Sequence, residues 1–173
     1  MSPMIQRMAR GSGLILAVAL TMLAALADCA AAGAVTVTKV KYEVNINDKL
    51  PAVRDLLISA LESRNYAIIN VLNVQDGLKA RGIDAPPLQL IEFCNLTLAY
   101  TITSHVPDFE MFAPCRVALI EIDGKTSVRV LRPAFVKSIL SANPKLSAEG
   151  KASLEKFDRD LKEILEELAK GGF

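Results

Sequence analysis

The chain is poor in the residues that bind nucleic acids and carbohydrates by stacking. Its 173 residues include no tryptophan, and aromatic residues make up only 5% of them. A stacking platform for bases or sugar rings needs several aromatic faces, so this class of interface is not expected. The formal net charge is +1, and the lysines and arginines form no cluster. A near-neutral surface has no electrostatic attraction for nucleic acid or for anionic lipid.

Motifs of catalytic and cofactor sites are also missing. The sequence contains no glycine-rich phosphate loop, no nucleophile elbow and no Cys-x-x-Cys pair. Its single histidine is His105, and the adjacent Ser104 does not make a catalytic triad, because neighbours in sequence do not place a hydroxyl on an imidazole. These absences favour a protein without enzymatic activity, and no cofactor is predicted.

The first 27 residues predict a signal peptide or a membrane anchor. Arg7 and Arg10 form a short basic region, and residues 14–26 are an almost uninterrupted apolar run. Ala25-Leu26-Ala27 then fits the small-x-small pattern of signal peptidase, with cleavage before Asp28. We therefore expect an exported protein, located in the periplasm or elsewhere outside the cytoplasmic membrane.

Two alternatives for this segment keep the protein at the membrane. Leu26-Ala27-Asp28-Cys29 resembles a lipoprotein box, which would place a lipid on Cys29, but Asp28 stands where a small uncharged residue is usual. Residues 11–27 are nearly long enough to span a thin bilayer as an uncleaved anchor. In either case membrane contact involves only the N-terminal segment or that lipid.

Beyond residue 28, hydrophobic periodicity predicts alternating strands and helices. Alternation from Val35 to Ile46 predicts a half-buried opening strand, and Asn47 or Asp48 is expected to cap the next helix. Asp123-Gly124 supplies the two positive-φ positions of a type I′ hairpin turn. The other predicted elements are the helix Leu50–Leu61 ending at Asn65, the strand Tyr66–Val74, a helical turn at Asp76–Gly82, the strand Leu88–Cys94, the helix Leu96–Val106 capped by Asn95, the loop Pro107–Pro114, the hairpin strands Cys115–Ile122 and Lys125–Leu131, and a helix from Pro133 to Leu140.

The C-terminal segment predicts a long amphipathic helix. Charged residues on its outer faces are spaced as i,i+4 pairs, among them Glu155 with Arg159 and Asp158 with Lys162. The narrow apolar seam is expected to cover the core, with a homodimer through a partner helix as the alternative. The seam consists of Leu154, Phe157, Leu161, Ile164, Leu165 and Leu168.

The order of these elements predicts an α+β fold, in which a mostly antiparallel sheet carries helices on one face and the C-terminal amphipathic helix follows. The predicted division of the chain is a leader at 1–27, an α+β domain at 28–142 and the C-terminal helix at 143–173.

Three segments carry a family resemblance. They are the opening strand with the helix and strand that follow it, the segment Asp76–Gly82 with the strand end Ile91–Asn95, and Phe112-Ala113-Pro114-Cys115-Arg116-Val117 leading into the hairpin and Arg132-Pro133. Together they resemble the domain-of-unknown-function family 302, in the branch with a cysteine at each of the last two places. The resemblance covers about residues 40–140 and leaves the C-terminal helix outside. It implies a compact α+β fold and no assigned reaction.

Cys94 and Cys115 are the first candidate site. Paired cysteines in an exported protein usually form a disulfide, and a working dithiol, a metal site and inert thiols are the alternatives. If their strands run parallel through the intervening helix, the sulfurs lie about 20 Å apart, too far for a bond. An antiparallel arrangement, or a return of the Pro107–Pro114 loop, brings them together.

Four further residues are weaker candidates. Glu92 precedes Cys94 by two residues and shares its strand face, where a carboxylate and a thiolate could hold a metal, but a solvated face is the simpler interpretation. His105 could complete a zinc or copper site, or interact with its helix C-terminus. Arg116 and Arg132, with Arg129, could gather at the hairpin base and bind an anion.

Two functional hypotheses follow. The first is an exported, non-enzymatic binding or accessory domain that uses the Phe109–Phe112 loop or the sheet face. The second is a thiol-based redox or metal-handling protein that uses Cys94 and Cys115. The sequence names no ligand and no partner.

Overall fold

The computed structural model describes residues 33–171. The predicted leader and Cys29 lie outside the described residues. Within 33–171, no helix combines the length and the apolar character that a bilayer crossing requires.

Six strands of the described chain form one antiparallel sheet with the spatial order β1-β2-β6-β5-β4-β3. This confirms the predicted α+β class and its antiparallel sheet. The strands are β1 (Thr36–Val37), β2 (Lys41–Ile46), β3 (Ala67–Asn73), β4 (Leu88–Cys94), β5 (Cys115–Ile122) and β6 (Lys125–Leu131).

The helices of the described chain follow the predicted order. The long helices α1 and α5 contribute to the same main core cluster as the inward-facing residues of β2, β4, β5 and β6. The opposite face of the sheet carries the cross-strand ion pairs Glu43–Arg129 and Glu92–Arg116. The helices are α1 (Leu50–Ser63), α2 (Val74–Lys79), α3 (Leu96–Thr103), a 3₁₀ helix (Pro107–Met111), α4 (Pro133–Leu140) and α5 (Ala148–Ala169).

The structure confirms the predicted hairpin turn, the helix end at Asn65 and the cap at Asn95. Asp123 and Gly124 have φ of 52° and 73°, the two left-handed positions that a type I′ turn requires. Asn65 ends the segment after α1 with φ of 63°. The Asn95 side chain accepts a hydrogen bond from the Leu98 amide at 3.1 Å and so caps α3. These short-range signals also explain why the predicted bounds of β4, β5 and β6 agree with the structure.

The opening of the domain differs from the prediction. The single predicted strand is broken into the hairpin β1–β2, because the Thr38 hydroxyl accepts hydrogen bonds from the Val40 and Lys41 amides and turns the chain. Gly33 packs beside β2, where a Cβ would lie 2.3 Å from the Asn45 carbonyl oxygen, so only glycine fits there.

The predicted cap of α1 is also wrong. Lys49 occupies the N-cap position and provides no side-chain hydrogen bond. Instead, the Leu50 amide donates to the Glu121 carboxylate of β5 at 2.8 Å. A residue 71 positions away therefore satisfies the helix start, and no local pattern could have indicated it.

The predicted apolar seam of α5 is buried within the domain. All six of its residues are less than one-tenth exposed, so the seam covers the core and is not open to a partner helix. Burying one such side chain contributes about 1.5–3 kcal/mol. Two of the expected i,i+4 pairs give way to tertiary contacts, because Glu155 pairs with Lys137 and Asp158 pairs with Arg132.

Asp158 joins α5 to two other parts of the fold. Its carboxylate accepts hydrogen bonds from the Tyr42 hydroxyl at 2.8 Å, from Arg132 Nη2 at 3.1 Å and from the Ala134 amide at 3.0 Å. The Arg132 guanidinium also lies over the Tyr42 ring, 4.8 Å from its centroid. Burial raises the pKa of Asp158, but the hydrogen bonds from these three donors outweigh it and the net shift is downward.

We expect Tyr42→Phe to lower the free energy of unfolding by about 1 kcal/mol at pH 7, because one buried hydrogen bond is lost. Burial, then the Asp158 carboxylate, raises the pKa of Tyr42 from 10.0 to about 12. The raised pKa stabilises the fold fully below pH 10, and this contribution is lost as pH rises through 12. Denaturant unfolding at pH 7 and pH 11 should show the two proteins converging at the higher pH.

The matched control is Tyr100→Phe, because Tyr100 is 76% exposed. It should change stability little at either pH. A Tyr42→Phe deficit of equal size at pH 7 and pH 11 would contradict the assignment.

Candidate functional site

A cavity of about 270 Å³ opens at the end of the sheet where β5 begins and β6 ends. We call it the apolar pocket. Its walls come from the 3₁₀ helix, the following loop, β5, β6, α4 and α5. The residues that line it are Phe109, Met111, Phe112, Pro114, Cys115, Arg116, Leu131, Pro133, Val136, Leu154 and Phe157.

The pocket lies where two hydrophobic clusters meet. Phe157 belongs to the main cluster between the sheet, α1 and α5. Phe109, Val136 and Leu154 belong to a second cluster formed by α3, the 3₁₀ helix, α4 and the start of α5. The space between the two clusters is lined on both sides by side chains that each cluster already holds in place, so the pocket is preformed.

The 3₁₀ helix provides the outer wall. Phe109 is 3% exposed and anchors the segment, whereas Met111 is 75% exposed at the mouth of the pocket. The Phe112 amide donates to the Phe109 carbonyl at 2.9 Å, which fixes the half-buried Phe112 beside them. Of the two alternatives predicted for this segment, the structure shows that it is packed down through Phe109, while Met111 stays exposed.

The structure brings the two candidate cysteines onto neighbouring strands. β4 and β5 are antiparallel, and Cys115 lies opposite Phe93, one residue before Cys94. The arrangement with sulfurs 20 Å apart therefore does not occur. Because successive strand residues point to opposite faces and Phe93 faces the core, the two thiols leave the sheet on opposite sides. They are not bonded to each other.

Both thiols are held in their protonated form. Burial, then the nearby Cys94, raises the pKa of Cys115 to about 12. Burial, then the Glu110 carboxylate, raises the pKa of Cys94. The Cys115 thiol faces the Phe112 carbonyl oxygen at 3.7 Å, a contact that suits an S–H donor. Because the thiolate is the reactive species, neither residue is poised for nucleophilic chemistry near neutral pH.

The other predicted ligands do not join the cysteines. Glu92 pairs with Arg116, with Oε1 3.0 Å from Nη2. His105 is exposed, and its Nδ1 lies 3.0 Å from the Ser104 hydroxyl and 3.2 Å from the Thr101 carbonyl oxygen. Across residues 33–171, no three His, Cys, Asp or Glu side chains are close enough to hold a metal ion.

The predicted arginines have separate partners. Arg116 and Arg129 pair across strands with Glu92 and Glu43. Arg132 donates to Asp158 and to the Thr38 carbonyl oxygen. Of the three, only Arg116 lines the apolar pocket.

Sequence reasoning missed the inner wall of the pocket. Leu154 and Phe157 belong to the apolar stripe of α5, and Val136 to that of α4. Nothing in the sequence distinguishes a core position that borders a cavity from one that does not. The usable signal was the proline-bounded segment with Met111 and Phe112, which places apolar side chains where a loop was expected.

A family model matches most of the described chain. The model described as "Domain of unknown function DUF302" matches residues 42–168, and the chain belongs to this family. The match includes nearly all of α5, so the C-terminal helix is part of the family's region, contrary to the narrower range expected from the sequence.

Two similar proteins can be compared with this chain. An uncharacterized protein of Aquifex aeolicus (strain VF5) is 32% identical over 123 residues, which cover 70% of this chain and 77% of that protein. The crystal structure of an uncharacterized conserved DUF302 protein from Bacillus stearothermophilus superimposes with a TM-score of 0.61 at 17% identity. The superposition covers 72% of this chain and 94% of the other. At this identity the second match supports the fold alone.

We expect both described thiols to react slowly with iodoacetamide in the folded protein at pH 7.5. The rate should be more than about tenfold below that in guanidinium chloride, because the raised pKa values keep the thiolate fraction small. Mass spectrometry of quenched samples gives both rates. Rapid alkylation of either thiol, or a bond between them that opens on reduction, would favour the redox hypothesis over the binding module.

Proposed function

We propose that this domain is a non-enzymatic ligand-binding module whose binding site is the apolar pocket. The observation that carries the proposal is the pocket itself, a preformed cavity between two packed clusters with nine apolar residues among its eleven lining residues. Preformed concave sites with mainly apolar walls and few polar groups are the usual form of small-molecule binding sites.

The size and chemistry of the pocket favour a small, largely apolar ligand. A volume of about 270 Å³ is slightly below the range of about 300–1,000 Å³ for drug-sized ligands. Transfer of apolar surface from water to such walls contributes about 25 cal/mol per Å². Two of the lining residues are aromatic side chains from different parts of the fold, Phe112 from the loop and Phe157 from α5.

The ionisable residues of the pocket support binding rather than acid–base catalysis. The lining contains two of them, Cys115 and Arg116. Burial raises the pKa of Cys115 to about 12, far above the pH at which a general acid or base must exchange a proton. Among the described residues, the lining contains no Asp, Glu or His side chain that could take this role.

Met111→Asp should weaken binding of N-phenyl-1-naphthylamine, an uncharged fluorescent probe, by about fivefold or more, because a carboxylate at the mouth is poorly solvated against an apolar ligand. Fluorescence titration gives the dissociation constant. Met111 is 75% exposed, so the substitution should leave the fold intact, which a thermal melt checks.

Ile122→Asp is the matched control, because Ile122 is 58% exposed and lies at the opposite end of the sheet. Its affinity for the probe should equal that of the unmodified protein. If Met111→Asp and Ile122→Asp both weakened binding of the probe, or if neither did, the probe would bind elsewhere and the proposal would fail.

We further propose that the domain acts outside the cytoplasmic membrane. The proposal is supported by Arg7 and Arg10, the apolar run and the small residues before Asp28. Intact mass of protein recovered from its native compartment should correspond to a chain that begins at Asp28. A full-length mass from Met1, or added lipid mass on Cys29, would place it at the membrane surface instead.

A further inference from the structure

We infer that the ligand of the apolar pocket is an organic anion, with an apolar body and one carboxylate, sulfonate or phosphate group that pairs with Arg116. This inference rests on the proposed function, because it names the class of molecule that the same pocket takes.

The lining of the pocket carries one charge. Among the described residues that form it, Arg116 is charged and no aspartate or glutamate is present. Arg116 precedes the core-facing Val117 and therefore projects from the opposite face of the sheet, where its side chain is 58% exposed beside the end at which the pocket opens. A molecule that fills the cavity with its apolar part would extend a terminal anionic group over this rim to reach the Arg116 guanidinium.

The guanidinium is held in place and still has unused donors. Arg116 lies directly opposite Glu92 in the β4–β5 register. Its Nε and Nη2 both donate to one Glu92 oxygen, at 3.2 Å and 3.0 Å. Within residues 33–171, Nη1 makes no hydrogen bond, so its two N–H groups remain for a ligand oxygen. Because Glu92 already orders the side chain, little further rotamer entropy is lost on binding.

Arg132 does not share this role. Its Nη1 donates to the Thr38 carbonyl oxygen, its Nη2 donates to Asp158, and its guanidinium lies over the Tyr42 ring. Arg132 therefore helps to hold α5 through Asp158, and it does not line the pocket. Of the two arginines that the sequence suggested for anion binding, the structure therefore assigns the anion to Arg116.

Two fluorescent probes with the same aromatic skeleton separate the charge from the apolar contact. 1-Anilinonaphthalene-8-sulfonate carries a sulfonate, and N-phenyl-1-naphthylamine is the same molecule without it. Arg116→Gln should raise the dissociation constant of the sulfonate probe by about fivefold, because a charge-assisted contact is removed. It should change the dissociation constant of the neutral probe by less than about twofold, because the apolar walls remain.

Arg129→Gln is the matched control. Arg129 is a β6 strand arginine, 44% exposed, that also pairs across strands with a glutamate but does not line the pocket. Both probes should bind this variant as they bind the unmodified protein. Raising the salt concentration should weaken the sulfonate probe in the unmodified protein and have a smaller effect in Arg116→Gln.

The outcomes separate the two proposals. If Arg116→Gln left the sulfonate probe unchanged, or weakened both probes equally, the anion assignment would be overturned while the apolar site stood. If Arg129→Gln weakened the sulfonate probe as much as Arg116→Gln, the effect would be long-range charge and the assignment would again fail. If the neutral probe did not bind, or if Met111→Asp left its affinity unchanged, the proposed function itself would be contradicted.

Discussion

The carboxylate of Asp158 is the interaction on which the arrangement of this domain depends. It receives hydrogen bonds from β2, from the end of β6 and from the start of α4, so it fixes the first half of α5 relative to the sheet. Leu154 and Phe157, which form the inner wall of the pocket, lie within one turn of it on the same helix. Three donors hold its pKa below the ordinary value despite burial, so the anchor stays ionised across the physiological range.

Periodicity and turn chemistry were enough to predict most of the fold. Asp123-Gly124, Asn95 and the apolar spacing of α5 act over a few residues, so their outcome can be derived from the sequence alone. Predictions failed where a distant residue decided the result. Glu121 satisfies the start of α1, and Arg132 takes Asp158 away from Lys162, and neither contact has a local signal.

The candidate site shows the same division. Residue type alone singles out Cys94, Cys115, Glu92 and His105 as candidate site residues. In the structure, burial raises the pKa of both thiols. Glu92 pairs with Arg116, and His105 contacts Ser104. The pocket is lined instead mostly by ordinary core residues, at the place where the two clusters meet between α4, α5 and the 3₁₀ helix. That arrangement is a property of packing, and one sequence does not encode it in a recognisable pattern.

The position of Gly33 has a mechanical consequence. It packs beside Asn45, at the end of β2 that pairs with Thr126, whereas the pocket lies near Leu131 at the other end of β6. Five residue steps along β6 separate these ends by about 17 Å. We expect a pulling force applied to the chain before Gly33 to separate the two-residue strand β1 from β2 first, because only two residue pairs join these strands. We expect the six-pair ladder between β2 and β6 to bear the load next, before the force reaches the apolar pocket.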